Sequence, residues 1–307
     1  MQGEFLIKAG DETYNANSGD FVVVPGMAPY TFAQKPYIMK LTELFLKQKK
    51  EITSVTPISN TRFISPAFII RMIIGIVLLI VLAHVGFYKT YIRHFPGFED
   101  NVRHDGRQIH FTWVMHFHGM MMIGWLLMLL VQPIFILKGK VKLHRIVGRL
   151  SYVLAPLVLI TMYLVTRGAL DRVVVPEEQA AVVARRMALD VPAIIFFTIL
   201  YILAIVYRHR TLLHSRYMIS TAFMLISPPL ARVLRAYFDY DREGSVDLSR
   251  TIIVFIALAV TVGDSLRLKR ISSFALVLGL VLLNKIIWDI KDTAFWQAIG
   301  SAIGKLF

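Results

Sequence analysis

Seven apolar runs, at about 66–90, 111–137, 147–168, 190–207, 217–237, 250–265 and 272–290, limit what this chain can fold into more than any other feature. Roughly 20 apolar residues are enough for a helix to cross the hydrocarbon layer of a bilayer. Inside lipid every backbone N–H and C=O must be satisfied within the segment, so such runs fold as helices. An apolar content of 56% and a mean hydropathy of +0.60 agree. The expected fold is an all-α integral membrane bundle of about seven transmembrane helices.

The connections between runs alternate in charge. Lys138, Lys140, Lys142, Arg145 and Arg149 join the second and third runs, with no acid among them. Arg208, Arg210 and Arg216 join the fourth and fifth. Arg267, Lys269 and Arg270 join the sixth and seventh, where Asp264 is the one acid. The other connections mix Arg with Glu99, Asp100, Asp105, Asp171, Glu177, Glu178, Asp239, Asp241, Glu243 and Asp247. Lys and Arg collect on the cytoplasmic side, so the N-terminus is expected in the cytoplasm and the C-terminus outside. The first 35 residues lack the basic start and apolar core of a signal peptide. The expected location is the bacterial cytoplasmic (inner) membrane.

The formal charge of +14 belongs to these loops, and no basic-aromatic module for nucleic acid is visible. With no cysteine, disulfides, thiolate metal sites, Cys nucleophiles and covalent c-type haem attachment are excluded.

Residues 1–36 differ from the rest. GEFLIKAG, ETYNA and DFVVVPG are short β-prone runs separated by Gly, Asp and Asn. The spacing of Gly19, Pro25, Met27 and Tyr30 resembles the second conserved motif of the cupin β-barrel family. Met27 stands at a glycine position, Tyr30 at the metal-binding His position and Gln34 where Asn is usual. The resemblance covers half a barrel and implies a small β-rich, cupin-like unit without the cupin metal. Its open strand edges call for a cover: a second copy of the chain, giving a homo-oligomer, or more β structure from a longer reading frame. Residues 37–65 read as an amphipathic helix over 37–50 at the cytoplasmic surface, followed by a polar linker. The membrane domain takes 66–307.

Ionisable groups inside a membrane span are functional hypotheses by default. The topology sorts the histidines into two layers. His84, His116 and His118 fall at similar depth, roughly 8–10 Å below the outer edge, from the 1.5 Å helical rise. His94, His104 and His110 belong to the outer loop above them. His144 and His214 open the third and fifth runs at the cytoplasmic face, near His209. Two layers on several helices suit haem b, whose iron takes one imidazole from each of two facing helices. His116 and His118 point about 200° apart, so one at most faces a given partner. His118 adjoins Gly119, where a flat macrocycle can approach. The expected pairings are His84 with the outer histidines and His214 with His144. Arg145, Arg149 and Arg216 inside, and Arg232 and Arg235 outside, are candidates for the propionates. Quinone or another redox carrier would be the partner. The competing account is structural: interhelical hydrogen bonds for His116 and His118, headgroup contacts for His144 and His214.

His118 followed by His144, Arg145, Gly148, Arg149 and Tyr152 resembles a bacterial family of multi-span membrane proteins with a His-Arg-x-x-Gly-Arg-x-x-Tyr core and no settled function. Similarity to ascorbate-type b cytochromes is looser. Three other readings remain. A seven-span zinc hydrolase of the ceramidase and adiponectin-receptor type needs a His-x-x-x-His pair in the last span, and 266–307 contain no His. A retinal protein on Lys285 lacks a carboxylate in 150–168, and Asp289 can pair with Lys285 instead. A transporter or a non-catalytic membrane scaffold is the fourth.

Overall fold

The computed structural model describes residues 4–9, 12–17, 65–97, 101–102, 108–109, 111–171 and 179–307. The cupin-like motif from Gly19 to Gln34, the expected helix over 37–50, His104 and His110 lie outside the described residues. The chain divides into two units, Met1–Asn60 and Thr61–Phe307. In the first, β1 (Glu4–Ala9) pairs antiparallel with β2 (Glu12–Asn17), Glu4 opposite Asn17 and Ala9 opposite Glu12.

The second unit is helical. A two-residue ladder, β3 (Asn101–Val102) with β4 (Gln108–Ile109), is its strand structure among the described residues. The helices are α1 (Pro66–Tyr88), α2 (Trp113–Leu137), α3 (Val141–Gly148), α4 (Ser151–Leu170), α5 (Gln179–Val206), α6 (Thr211–Ser220), α7 (Phe223–Tyr237), α8 (Arg242–Leu268), α9 (Phe274–Asp289) and α10 (Ala294–Gly304). Side-chain caps at Ser65, Thr112, Asp241 and Thr293 satisfy amide donors at the starts of α1, α2, α8 and α10. Gly139 (φ 68°) follows the end of α2 in the left-handed conformation.

Six helical stretches are long and apolar enough to cross a membrane: α1, α2, α4, Ala180–Val206 of α5, α6 with α7 (Thr211–Tyr237), and α8. This is a multi-pass membrane protein. Helix α9 has 16 residues, about 24 Å at the helical rise, short of the usual hydrocarbon thickness. It nevertheless runs antiparallel to α8 over most of that helix: Thr261 Oγ1 donates to the Phe274 carbonyl near one end, and Lys285 meets Asp247 at 2.9 Å near the other.

Packing carries α1 against α2, α2 against α4, α4 against α5, α5 against α9, α9 against α8, α8 against α7 and α7 back against α1. Half of the α6–α7 stretch is buried, against 17% for α1, so α6–α7 is the most enclosed crossing. Trp125 of α2 is fully buried. Its Nε1–H donates to Thr221 Oγ1 at 3.1 Å, and its ring meets Phe197 and Tyr201 of α5 edge-on.

The helices extend beyond the apolar runs. α5 begins at Gln179, not near 190, and α8 at Arg242, not near 250. The added turns carry charges with partners at the same end of the bundle: Arg185 with Asp292, Arg186 with Asp190, and Glu243 with Lys291. A paired charge does not end a helix, whereas a hydropathy window stops at it. Pro228 and Pro229 do not break α7. The interruption falls one turn earlier, where Met224 and Leu225 donate to Thr221 and Ala222 in tight i→i−3 bonds. Both prolines lack the N–H that the carbonyls of Met224 and Leu225 would otherwise receive. Gly86 of α1 lies against Pro229, where a Cβ would sit 2.4 Å from its carbonyl oxygen.

α10 packs on the start of α5. Gly300 and Gly304 face Ala184 and Val183 so closely that a Cβ at Gly300 would lie 2.8 Å from Ala184 Cα. Glycines four apart allow such close helix approach in membrane bundles. Trp296 Nε1–H donates to the Ala184 carbonyl at 2.9 Å.

Candidate functional site

The basic connections gather at one end. His144 of α3 meets His214 of α6, which brings the 2–3 and 4–5 connections together. Arg216 of α6 pairs with Asp264 of α8 at 2.7 Å, adding the 6–7 connection. The mixed-charge connections meet at the opposite end, where Lys89 donates to the Ala236 carbonyl and Lys291 pairs with Glu243.

His144 and His214 form the tightest histidine arrangement among the described residues. Their ring centroids are 6.3 Å apart with planes at 87°. His214 Nδ1–H donates to the Ala204 carbonyl at 2.8 Å, which leaves Nε2 with its lone pair. Gln132 of α2 holds the other ring. With its amide nitrogen toward His144, Gln132 donates to the His144 carbonyl (3.1 Å) and to His144 Nδ1, and accepts from the Gly148 N–H (3.1 Å). His144 Nδ1 is then an acceptor, so the neutral ring carries its proton on Nε2. Burial, then the neighbouring His214, holds the His144 imidazole below the usual histidine pKa. One ring thus has a free Nε2–H and the other a free Nε2 lone pair.

The outer histidines do not form a comparable pair. His118 Nδ1 lies 3.0 Å from Thr161 Oγ1, whose own proton goes to the Val158 carbonyl at 2.9 Å. The ring therefore donates from Nδ1. His116 Nδ1 bonds to the Tyr91 hydroxyl at 2.5 Å, and burial raises the pKa of that phenol. His116 and His118 thus serve different partners. His84 is exposed on α1, and its ring neighbour is Tyr88 of the same helix. The expected pairing of His84 with the outer histidines is not what the structure places together, because His84 faces away from the bundle. His209 is exposed, and His94 accepts from Arg93. A Cβ at Gly119 would find Tyr91 Oη no closer than 4.0 Å, so that face is open.

The arginines expected to meet propionates are otherwise engaged or exposed. Arg216 is buried against Asp264, between Phe68 and Phe274, and Ser272 hydrogen-bonds the other Asp264 oxygen. Arg232 lies over the Phe87 ring and donates to the Pro228 carbonyl, and Arg235 donates to the Ala231 carbonyl. Arg145 and Arg149 are exposed. Among the described residues no group of three or more His, Asp or Glu is placed to hold a metal ion.

Sequence reasoning missed three groups. Asp264, the one acid of the basic 6–7 connection, stands at the end of the sixth run, and a lone acid there is a signal for a buried partner. Gln132 carried no signal inside an apolar run. Arg250 of α8 is 5% exposed and donates to the carbonyls of Asn284, Ala188 and Leu189. Lys285 pairs with Asp289, as the i,i+4 spacing suggests, and also with Asp247 of α8.

Comparison with known proteins finds no matching family model, no similar curated protein and no similar solved structure.

Proposed function

We propose that this is a seven-span transporter of the bacterial cytoplasmic membrane, N-terminus inside and C-terminus outside, in which His144 and His214 bind and pass a proton at the cytoplasmic end. The alignment of α9 with α8 supports the seventh crossing, since a short apolar helix is accommodated by local thinning of the bilayer. The gathering of the basic connections at one end supports the orientation.

The complementary tautomers carry the proton reading. His214 takes up a proton at its bare Nε2 and becomes an imidazolium. With Gln132 turned so that its amide oxygen accepts from Nδ1–H of His144, the His144 Nε2 is bare and receives that proton through one water, which leaves His214 neutral again.

Haem b held by His144 and His214 is the second reading, since the two imidazoles come from different helices with ring centroids 6.3 Å apart. A metal on His144 Nε2 requires Gln132 to turn its amide oxygen toward Nδ1, which gives up the bond to the Gly148 N–H. The haem would supply one-electron chemistry with quinone or another carrier, and His144 and His214 would hold it.

An absorption spectrum of the purified protein separates the two. The proton reading expects a colourless preparation from haem-replete cells. A Soret band that shifts on dithionite reduction overturns it in favour of haem.

A further inference from the structure

A small cavity of about 20 Å³, room for one occupant of water or halide size, lies among α7, α8 and α9, lined by Phe223, Met224, Ser227, Arg250, Ile253, Val281 and Asn284. Arg250 stands eight residues into α8, about 12 Å below its start at 1.5 Å per residue.

The charge of this site is unusual. Every hydrogen bond of the Arg250 guanidinium goes to a neutral backbone carbonyl, and its Nε–H is buried without an acceptor among the described residues. Asp190, Asp247 and Asp289 are close enough to act on it electrostatically, but each is tied to another cation: Asp190 to Arg186, and Asp247 and Asp289 to Lys285. A buried charge is costly unless an opposite charge lies against it.

Asn284 adds a second unfilled group. Its backbone oxygen accepts from Arg250, but its side-chain Oδ1 is buried without a donor. The amide can therefore turn its NH2 toward a ligand without losing a bond at Oδ1. The Ser227 hydroxyl donates to Ser249 Oγ at 2.8 Å, because the Ser249 proton goes to the Val246 carbonyl, so Ser227 lines the cavity without a free donor. The remaining wall is apolar. Such a wall penalises multiply charged anions far more than singly charged ones, because desolvation cost grows steeply with charge.

We propose that this cavity binds a small monovalent anion of halide size, held by Arg250 and the side-chain amide of Asn284. The site does not depend on the reading of the histidine pair, and its test involves neither histidine.

The full chain, purified in detergent, is unfolded by heat in sodium gluconate while chloride or bromide replaces gluconate at constant ionic strength. Wild-type protein is expected to show a saturable rise in its midpoint by a few degrees with either halide. Asn284→Leu keeps the backbone acceptor of Arg250 and removes the amide, and should weaken the halide response at least tenfold. Ile253→Phe, which fills the cavity, should abolish it. Arg250→Gln should do the same where it folds. Absence of a halide-specific rise in wild type, or a full response in both Asn284→Leu and Ile253→Phe, overturns the proposal. A midpoint indifferent to anions together with a more stable Asn284→Leu protein assigns the cavity to water and also overturns it.

Discussion

The Arg250 guanidinium donates to the carbonyl of Ala188 at 3.2 Å, the acceptor that Pro192, four residues later in α5, leaves without a helical donor. A proline removes one backbone bond from a membrane helix, and a neighbouring helix can restore it. Here the donor comes from 62 residues away. Arg250→Met should therefore destabilise the protein by about 3–5 kcal/mol, since the carbonyls of Ala188, Leu189 and Asn284 lose a charged donor. Pro192→Ala restores the helical N–H for Ala188. The double variant should recover part of the loss, read as a positive coupling in a double-mutant cycle of detergent unfolding. Strict additivity would show that Arg250 does not serve that carbonyl.

Arg216 and Asp264 form a largely buried ion pair. Arg216 is 3% exposed and Asp264 12% by side chain. Arg216→Ala leaves a buried carboxylate and should cost about 3–5 kcal/mol. Asp264→Asn keeps an oxygen for the Ser272 hydroxyl but strands the guanidinium, and a comparable loss is expected. Replacement of both by a matched apolar pair should cost less than either single change, measured by the same unfolding assay.

The contact of α10 with α5 depends on Gly300. Gly300→Val should lever α10 away from Ala184 and cost about 1–3 kcal/mol through overpacking. Faster amide exchange across 294–304, with α8 and α9 unchanged, is the expected signature. Unaltered exchange in α10 would rule out the close approach.

Acid should weaken the protein through His144. Its folded pKa lies below the ordinary value of about 6.5, so between those two values the unfolded chain binds the proton and the folded one does not. The stabilising contribution is complete above about pH 6.5 and is lost as pH falls through the folded pKa. The thermal midpoint of wild type should drop between pH 7.5 and 5.5 by more than that of His144→Gln. Equal slopes would remove His144 as the cause.

The apolar runs and the charges between them made the helices and their two ends legible in the sequence, because hydrophobic length and loop charge are local properties. So was the pairing of Lys285 with Asp289, one helical turn apart. The partners of His84, Arg216 and Arg250 were not legible. Each depends on which face of a helix meets which neighbour, and apolarity on all sides hides that face in a membrane chain. His84 shares its depth with His116 yet is exposed on the outside of α1, whereas His144 and His214, near helix starts at one end, lie side by side.

The central claim is that His144 and His214 lie side by side as opposite neutral tautomers, with the bare Nε2 of His214 ready to take up a proton. The direct measurement is ¹⁵N NMR of histidine-labelled protein, with His144→Gln and His214→Gln used for assignment. The account predicts Nε2–H on His144 and Nδ1–H on His214, with removal of the His214 ring raising the pKa of His144. Two Nδ1–H rings with metal-perturbed Nε2 signals, or two rings that titrate independently, would contradict it.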